Sequence, residues 1–156
     1  PLPDFKQKMV QIGYLARTAN LLGITTPKIA CIAPSEQLLP NVISSTEGAL
    51  LAKMADRGQL GNVVVDGPLS LDVALYKEVA EHKKVKGSSV AGDPDCLLFP
   101  NLESANVFFK SVTHLCGGEL AAMVMGTKVP CVLTSRGDTS KTKLFSIALA
   151  CLAVKK

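Results

Sequence analysis

Short runs of consecutive apolar residues, separated by helix-like segments, constrain the fold of this chain more than any other feature. Three such runs lie in "PKIACIAP", "NVVVDGPLS" and "CLLFP". Because successive residues rather than alternate ones are apolar, the strands that these runs predict are covered on both faces. Helical segments lie between them in sequence, so the pattern predicts an α/β fold with a largely parallel sheet.

The segments between the apolar runs have the spacing and end signals of helices. Apolar residues recur at three- and four-residue steps from Phe5, and Gly23 is placed to end that helix. Ser44, with Glu47 three residues later, has the pattern of a capping box. Two further buried strands are predicted in "AAMVMG" and "VPCVLT", and a last helix begins near Thr139. The predicted order is α-β-α-β-α-β-α-β-β-α.

The net charge of the chain and the length of its apolar runs argue against several classes of function. The net charge is +4 without a long block of Lys and Arg, and Trp is absent. We therefore expect no nucleic-acid binding, whereas a mild positive charge suits small anionic molecules. No apolar run approaches the roughly 18 residues of a membrane helix, and no secretory signal begins the chain. We expect no membrane association.

The cysteines and histidines predict neither disulfides nor a metal site. The chain has five cysteines, an odd number, without a CxxC pair, and most lie in apolar runs. This usage predicts buried free thiols in a reducing compartment, so we expect a cytoplasmic protein. The two histidines are far apart in sequence and lack metal-ligand spacing. We expect no metal.

The segment "TSRGDTS", Thr134 to Ser140, is the strongest candidate for a binding site. It follows a predicted strand and begins a helix, and a helix N-terminus attracts anions. Arg136 adds a guanidinium that matches phosphate oxygens, and Gly137 permits a close backbone approach. The same residues also fit an ordinary capped helix with a solvated arginine. The pattern alone leaves both interpretations open.

Three other polar residues are weaker candidates. Asn106 and Lys110 lie four apart, on one face of a predicted helix, where they could bind a phosphate or a carbonyl or simply face solvent. Asp66 ends an apolar run, where it could orient a ligand, act as a base or stabilise the Gly67-Pro68 turn.

Around these residues the sequence resembles a known family. The stretches "STEGALLAKMADRGQ", "VVVDGPLSLDVAL", "VAGDPDCLLFPNLESANVFFK" and "VLTSRGDTSKTKLFSIALA" closely resemble the phosphate acetyl/butyryltransferase family, in detail its butyryltransferases. The ordered motifs cover nearly all 156 residues but only about the C-terminal half of such an enzyme. We therefore expect a fragment, or one half of a split protein.

The resemblance implies a fold and a division of the chain. Family members have an isocitrate/isopropylmalate-dehydrogenase-like three-layer α/β fold with two domains, so this chain is expected to be its C-terminal half. Residues 1–126 resemble the inserted second domain, and residues 127–156 resemble the strand and helix that return to the first. The helix from Leu144 to Val154 would then expose an apolar patch, covered by a partner chain or by neighbours in a crystal.

The resemblance also implies an activity. Family members interconvert acyl-CoA plus phosphate and acyl phosphate plus CoA, and in the direction of acyl-CoA synthesis the CoA thiolate attacks the acyl phosphate carbonyl directly, in a ternary complex. CoA is a substrate, no cofactor or metal is required, and members are commonly homo-oligomers. The Ser-Arg pair of the family corresponds to Ser135 and Arg136, which we predict as catalytic. The predicted substrate-binding residues are Asn106, Lys110, Thr134, Gly137 and Asp66.

One departure from the family leaves the thiol base unassigned. Acetyltransferases of the family have an Asp six residues after that Arg, where this chain has Thr142. Asp138 is one candidate base, and a thiol deprotonated without a dedicated base is the alternative. A non-catalytic fragment that binds CoA or phosphate is the competing interpretation of the chain. A dehydrogenase of the same fold is disfavoured because no helical D-x-x-x-D pattern is present.

Overall fold

Three parallel strands form the sheet of this chain. The structure is a computed structural model and describes residues 2–154. The strands are β1 (Lys28–Ile32), β2 (Val64–Leu69) and β3 (Cys96–Leu98), in the order β2-β1-β3. β1 pairs in parallel with both neighbours. The parallel sheet and its three strands are therefore confirmed.

Six helices accompany these strands in the described residues. They are α1 (Phe5–Leu21), α2 (Ile43–Asp56), α3 (Leu71–Leu75), α4 (Lys77–His82), α5 (Leu102–Leu115) and α6 (Ser140–Ala153). The single helix expected after β2 is two short ones, because the extended backbone of Tyr76 separates α3 from α4.

Apolar side chains cover both faces of the sheet. Ile29 and Cys31 of β1 pack with Ile12 of α1 and Leu51 of α2. Ala30, between them, points to the opposite face and packs with α3 and α4. This alternation is the reason that the strands are continuously apolar, and it makes three layers, helix–sheet–helix.

The start of α2 differs from the predicted capping box. Its N-cap is Val42, which makes no side-chain cap, and Ser44 lies inside the helix. The neighbouring Ser45 fixes the preceding loop instead. Its buried hydroxyl accepts from the Leu39 N–H at 2.9 Å and donates to the Gln37 carbonyl at 3.1 Å.

The chain divides into two compact units, Pro1–Ala105 and Asn106–Lys156. The first contains the sheet, α1 to α4 and the start of α5, and the second contains the rest of α5 and α6. The division at residues 126 and 127 concerns the domains of longer relatives, and it stays a prediction.

The two strands predicted between α5 and α6 are wrong for the described residues. In that segment the structure has a single antiparallel bridge, between Val124 and Cys131. Val129 and Leu133 are 70% and 78% exposed. A strand requires a paired neighbouring strand, and within residues 2–154 the strand-type pairing of this segment is limited to that isolated bridge.

The last helix begins where the sequence predicted and exposes apolar side chains. Thr139 is its N-cap. Leu144, Ile147 and Leu152, here called the α6 stripe, are 63%, 54% and 58% exposed. The predicted exposed patch is therefore confirmed, whereas the chain that would cover it stays a prediction.

The cysteines are less buried than the sequence indicated. All five are free, but only Cys31 is buried, and Cys116 and Cys151 are exposed. Apolar neighbours in sequence do not bury a thiol when their segment lies at a surface.

Candidate active site

The Ser135–Asp138 segment forms a turn that two hydrogen bonds close. The Asp138 N–H donates to the Ser135 carbonyl at 3.1 Å, and the Ser135 N–H donates to Oδ2 of Asp138 at 2.7 Å. Arg136 and Gly137 occupy the tip of this turn, and all three residues from Ser135 to Gly137 are exposed. The backbone at both ends of the turn is therefore fixed while its tip faces solvent.

A side-chain cap joins this turn to α6. The Thr139 hydroxyl accepts from the Thr142 N–H at 3.1 Å and donates to the Thr142 hydroxyl at 3.2 Å. The cap satisfies one of the unpaired N–H groups of the first helical turn, and the others remain as a partial positive charge. Thr142, which stands where the base was expected, is thus part of the cap.

A buried serine anchors α6 to the preceding segment. The Ser146 hydroxyl is fully buried, donates to the Thr142 carbonyl at 2.7 Å and accepts from the Ala122 N–H at 3.0 Å. Lys141 forms an ion pair with Glu119 in the same region. These contacts hold the first two turns of α6 in place.

Arg136 is the residue of the turn best suited to bind an anion. Its side chain forms no ion pair or hydrogen bond within residues 2–154. A guanidinium without an internal partner offers all its N–H groups to a ligand. At Gly137 a Cβ would meet no atom within 4 Å, so packing within this chain does not require glycine there.

Asn106 and Lys110 share one face of α5, as predicted, and both are exposed. The Lys110 Nζ lies 5.2 Å from the centre of the Phe109 ring. Both residues belong to the same unit as the turn, but no hydrogen bond or ion pair among residues 2–154 joins them to it. Thr134, partly buried, directly precedes the turn.

Asp66 does not occupy the turn that the sequence predicted. It lies inside β2, opposite Ala30, and the strand continues to Leu69. Its Oδ1 accepts from the Gly67 N–H at 2.8 Å. The Gly67-Pro68 pair suggested a strand end, but Leu69 still pairs with Ile32 after an irregularity in the ladder. Asp66 belongs to the first unit, and the other predicted site residues belong to the second.

The carboxyl edge of the sheet holds a charged cluster that the sequence did not indicate. Lys83 lies 3.0 Å from Asp72, 3.4 Å from Glu36 and 3.3 Å from the Ser70 hydroxyl. The Ser70 hydroxyl also donates to Glu36 at 3.1 Å. Glu36 and Ser70 follow the ends of β1 and β2, which was the available signal, but nothing in sequence placed Lys83 beside them.

Hydrogen bonding within this cluster favours its charged forms. Ser70 and then Lys83 lower the pKa of Asp72 to about 2. The hydrogen bond to Asp72 raises the pKa of Lys83. For Glu36 the largest cause of its lowered pKa is its own backbone N–H. Each charged group of the cluster has a partner within it, so it has the character of a structural network rather than a ligand site.

The described residues contain neither a cluster of metal ligands nor a membrane-spanning helix. Within residues 2–154, no group of three or more His, Cys, Asp and Glu side chains could hold a metal ion. No helix in that range is long and apolar enough to cross a membrane.

Comparison with known protein families gives a match over nearly the whole chain. The model of the family described as "Phosphate acetyl/butaryl transferase" matches residues 1–151. A phosphate butyryltransferase of Clostridium beijerinckii is 44% identical over 154 residues, which are 99% of this chain and 51% of that protein. A phosphate acetyltransferase of Thermotoga maritima is 40% identical over 148 residues, 95% of this chain and 50% of that protein.

A solved structure has the same fold. A branched-chain phosphotransacylase of Enterococcus faecalis V583 superposes with a TM-score of 0.87 at 31% identity, covering 97% of this chain and 54% of that one. The chain thus spans about half the length of the relatives that it matches.

Proposed function

This chain belongs to the phosphate acetyl/butyryltransferase family, and we propose that it supplies the phosphoryl-binding part of an acyltransferase active site. The enzyme would convert a short-chain acyl-CoA, butyryl-CoA in the first instance, and phosphate into acyl phosphate and CoA. The residues that its relatives have in addition would complete the site. We further propose that it acts in the cytoplasm as a homo-oligomer.

The reaction needs positive charge where phosphate binds and leaves. In the direction of acyl-CoA synthesis, the thiolate sulfur attacks the acyl carbonyl carbon and a C–S bond forms. The C–O bond to the phosphoryl group then breaks, and phosphate leaves with the bonding electron pair. Negative charge develops on the carbonyl oxygen and then on the phosphate, so fixed cations and N–H donors accelerate the reaction.

The observation that carries the proposal is the unpaired Arg136 at the tip of a closed turn beside the N-terminus of α6. Its guanidinium would bind the phosphoryl oxygens, and the Ser135 hydroxyl would donate to the oxygen that becomes negative. Thr134 and Gly137 would line the same pocket by their backbone. Asn106 and Lys110, on α5 in the same unit, would contribute further contacts to the substrate.

The distribution of charge supports this placement. Residues 106–156 contain seven Lys and Arg against two Asp and Glu, a net charge of +5. Residues 1–105 contain ten against eleven, a net charge of −1. The positive charge of the chain is thus concentrated in the unit that contains Arg136, as a site for phosphate and CoA requires.

The CoA thiol needs no dedicated base in this proposal. Thr142, which stands at the expected position of the base, is engaged in the α6 cap. An aliphatic thiol with a pKa of about 8.5 is already a few per cent thiolate at neutral pH. Cationic surroundings raise that fraction further.

Substitution of Arg136 tests the proposal. In the full-length protein that contains these residues, Arg136→Ala is expected to lower kcat for acyl phosphate formation by roughly 100-fold or more, because one preorganised donor contributes about 3 kcal/mol. Arg136→Lys should restore part of the loss. Activity is measured as phosphate-dependent release of CoA from butyryl-CoA, and folding by circular dichroism.

Lys128→Ala is the matched control, because it removes an exposed, unpaired cation of the same unit. Near wild-type turnover of Arg136→Ala would refute the proposed role. Binding of CoA without any turnover by the full-length protein would instead favour a non-catalytic binding protein.

A further inference from the structure

We propose that Asp138 is a positioning residue, which holds Ser135 and Arg136 in their binding geometry, and that it is not the base for the CoA thiol. The inference rests on the proposed function, because it assumes that the turn binds the phosphoryl group. It concerns a residue that the sequence left as a candidate base.

Asp138 fixes the Ser135 peptide groups from both sides. Its carboxylate accepts the Ser135 N–H at 2.7 Å, and its own N–H donates to the Ser135 carbonyl at 3.1 Å. One residue thus sets the direction of the two peptide bonds that flank Ser135. Since Arg136 begins at the second of these bonds, the direction of its side chain depends on Asp138.

Nothing else in the described residues restrains the tip of the turn. Arg136 is exposed and unpaired, and Gly137 has no atom near the position of a Cβ. Asp138 is partly buried and directly precedes Thr139, the N-cap of α6. It therefore links the arginine to the end of the helix, and both need a fixed mutual orientation to bind one anion.

Two substitutions separate positioning from proton transfer. In Asp138→Asn the side-chain oxygen still accepts the Ser135 N–H but cannot take a proton from a thiol. In Asp138→Ala neither is possible. If Asp138 positions the turn, Asp138→Asn keeps most of the activity and Asp138→Ala loses it. If Asp138 is the base, both substitutions abolish the activity.

The kinetic test uses the full-length protein that contains this chain. We expect Asp138→Asn to retain kcat within about threefold with an unchanged pH–rate profile. We expect Asp138→Ala to raise KM for phosphate and to lower kcat, each about tenfold or more. A loss in Asp138→Asn as large as that in Asp138→Ala would overturn the proposal, and so would wild-type kinetics of Asp138→Ala.

A second measurement tests the geometry of the Ser135–Asp138 turn and does not depend on enzyme activity. In NMR spectra of the 156-residue chain, the Ser135 amide proton should exchange slowly, because it donates to the Asp138 carboxylate. Asp138→Asn should keep the slow exchange, and Asp138→Ala should lose it. Fast exchange in the wild type would overturn the proposal.

The two measurements test the positioning role of Asp138 separately from the proposed transferase function. A wild-type full-length protein without transferase activity would refute the proposed function, while the amide measurement would still decide whether Asp138 holds the turn.

Discussion

Lys83 and Arg136 are both cations in polar segments beside helices, yet their surroundings give them opposite roles. Lys83 is bound to Asp72, Glu36 and Ser70, whereas Arg136 has no partner in residues 2–154. The Lys83 contacts tie the loop after β1 to α3, on the side of the sheet that α3 and α4 cover. The charge of Lys83 therefore stabilises contacts within the chain, whereas the charge of Arg136 remains available for a ligand.

Removing Lys83 should change how stability depends on pH. Because the pKa of Asp72 is lowered from 3.8 to about 2, its ionised form stabilises the folded chain above about pH 4. That contribution is lost as the pH falls from about 4 to 2. Ser70 is the larger cause of this lowered pKa and Lys83 the next, so Lys83→Met returns the pKa only part of the way toward its ordinary value. We therefore expect somewhat lower stability at pH 7 and a shallower loss in acid.

The measurement is urea unfolding of wild type and variant at pH 7, 4 and 2.5. Lys86→Met, which removes an exposed lysine without an ion pair in the described residues, is the control. An acid profile of Lys83→Met parallel to that of the wild type would show that Lys83 does not act on Asp72.

At the scale of elements, two glycines allow α2 and β2 to approach Cys31 of β1. A Cβ on Gly48 would lie 3.4 Å from the Cys31 Cβ and the Pro68 backbone. A Cβ on Gly67 would lie only 2.6 Å from the Cys31 Cβ, so glycine is needed there to let β2 approach. This packing also buries Glu47 of α2 beside Lys8 of α1, with side chains 17% and 4% exposed.

The Lys8–Glu47 pair predicts a large effect of removing only one partner. Lys8→Met leaves the Glu47 carboxylate buried without its counter-ion, which typically costs about 3–5 kcal/mol. The double variant Lys8→Met/Glu47→Leu should recover most of that loss, because neither charge remains. Urea unfolding at pH 7 gives both free energies of unfolding.

Lys6→Met controls for the loss of a lysine on the same helix, since Lys6 is exposed. Equal stability of the single and double variants would show that desolvated charge is not the cause.

At the scale of the whole molecule, the two units differ in how completely they bury their apolar residues. Both apolar core clusters in the described residues lie in the first unit. The second unit contains the exposed α6 stripe, and in residues 106–154 only Ser146 and Ala153 are buried. Exposed stripes of this kind mark surfaces that associate with other chains or domains.

The α6 stripe therefore predicts self-association of the 156-residue chain. Leu144→Glu should shift the chain toward monomer in sedimentation velocity at concentrations where the wild type associates. Because Leu144 is 63% exposed, its unfolding free energy should change by no more than about 0.5 kcal/mol.

Leu50→Glu is the matched control, since Leu50 is 55% exposed on α2. A similar effect of both substitutions would indicate a general response to added negative charge, and the stripe would then have no special role.

The sequence predicted those features that depend on neighbours along the chain. The three strands and the Thr139 start of α6 follow from local patterns of apolar and capping residues, whereas the exposed stripe was expected only from the family resemblance. The strands predicted in "AAMVMG" and "VPCVLT" are wrong because a strand also needs a neighbouring strand, and among residues 2–154 only Val124 and Cys131 form a bridge there.

The same distinction applies to the site. The polar turn before α6 was visible as a pattern, but the Asp138–Ser135 bond and the position of Asp66 inside β2 depend on backbone geometry. The Lys83 cluster joins residues far apart in sequence, which a single sequence cannot bring together.

Because Cys31 is buried, the rate at which its thiol is labelled reports how often the surrounding core opens locally. Burial raises its pKa to about 12, and its side chain packs against Gly48 of α2 and Gly67 of β2, so we expect a thiol reagent to reach it only when this packing opens. The exposed Cys116 and Cys151 react without such a delay. We therefore expect the slow phase of labelling to give the frequency of local opening in the core of the first unit, and this measurement needs no added probe.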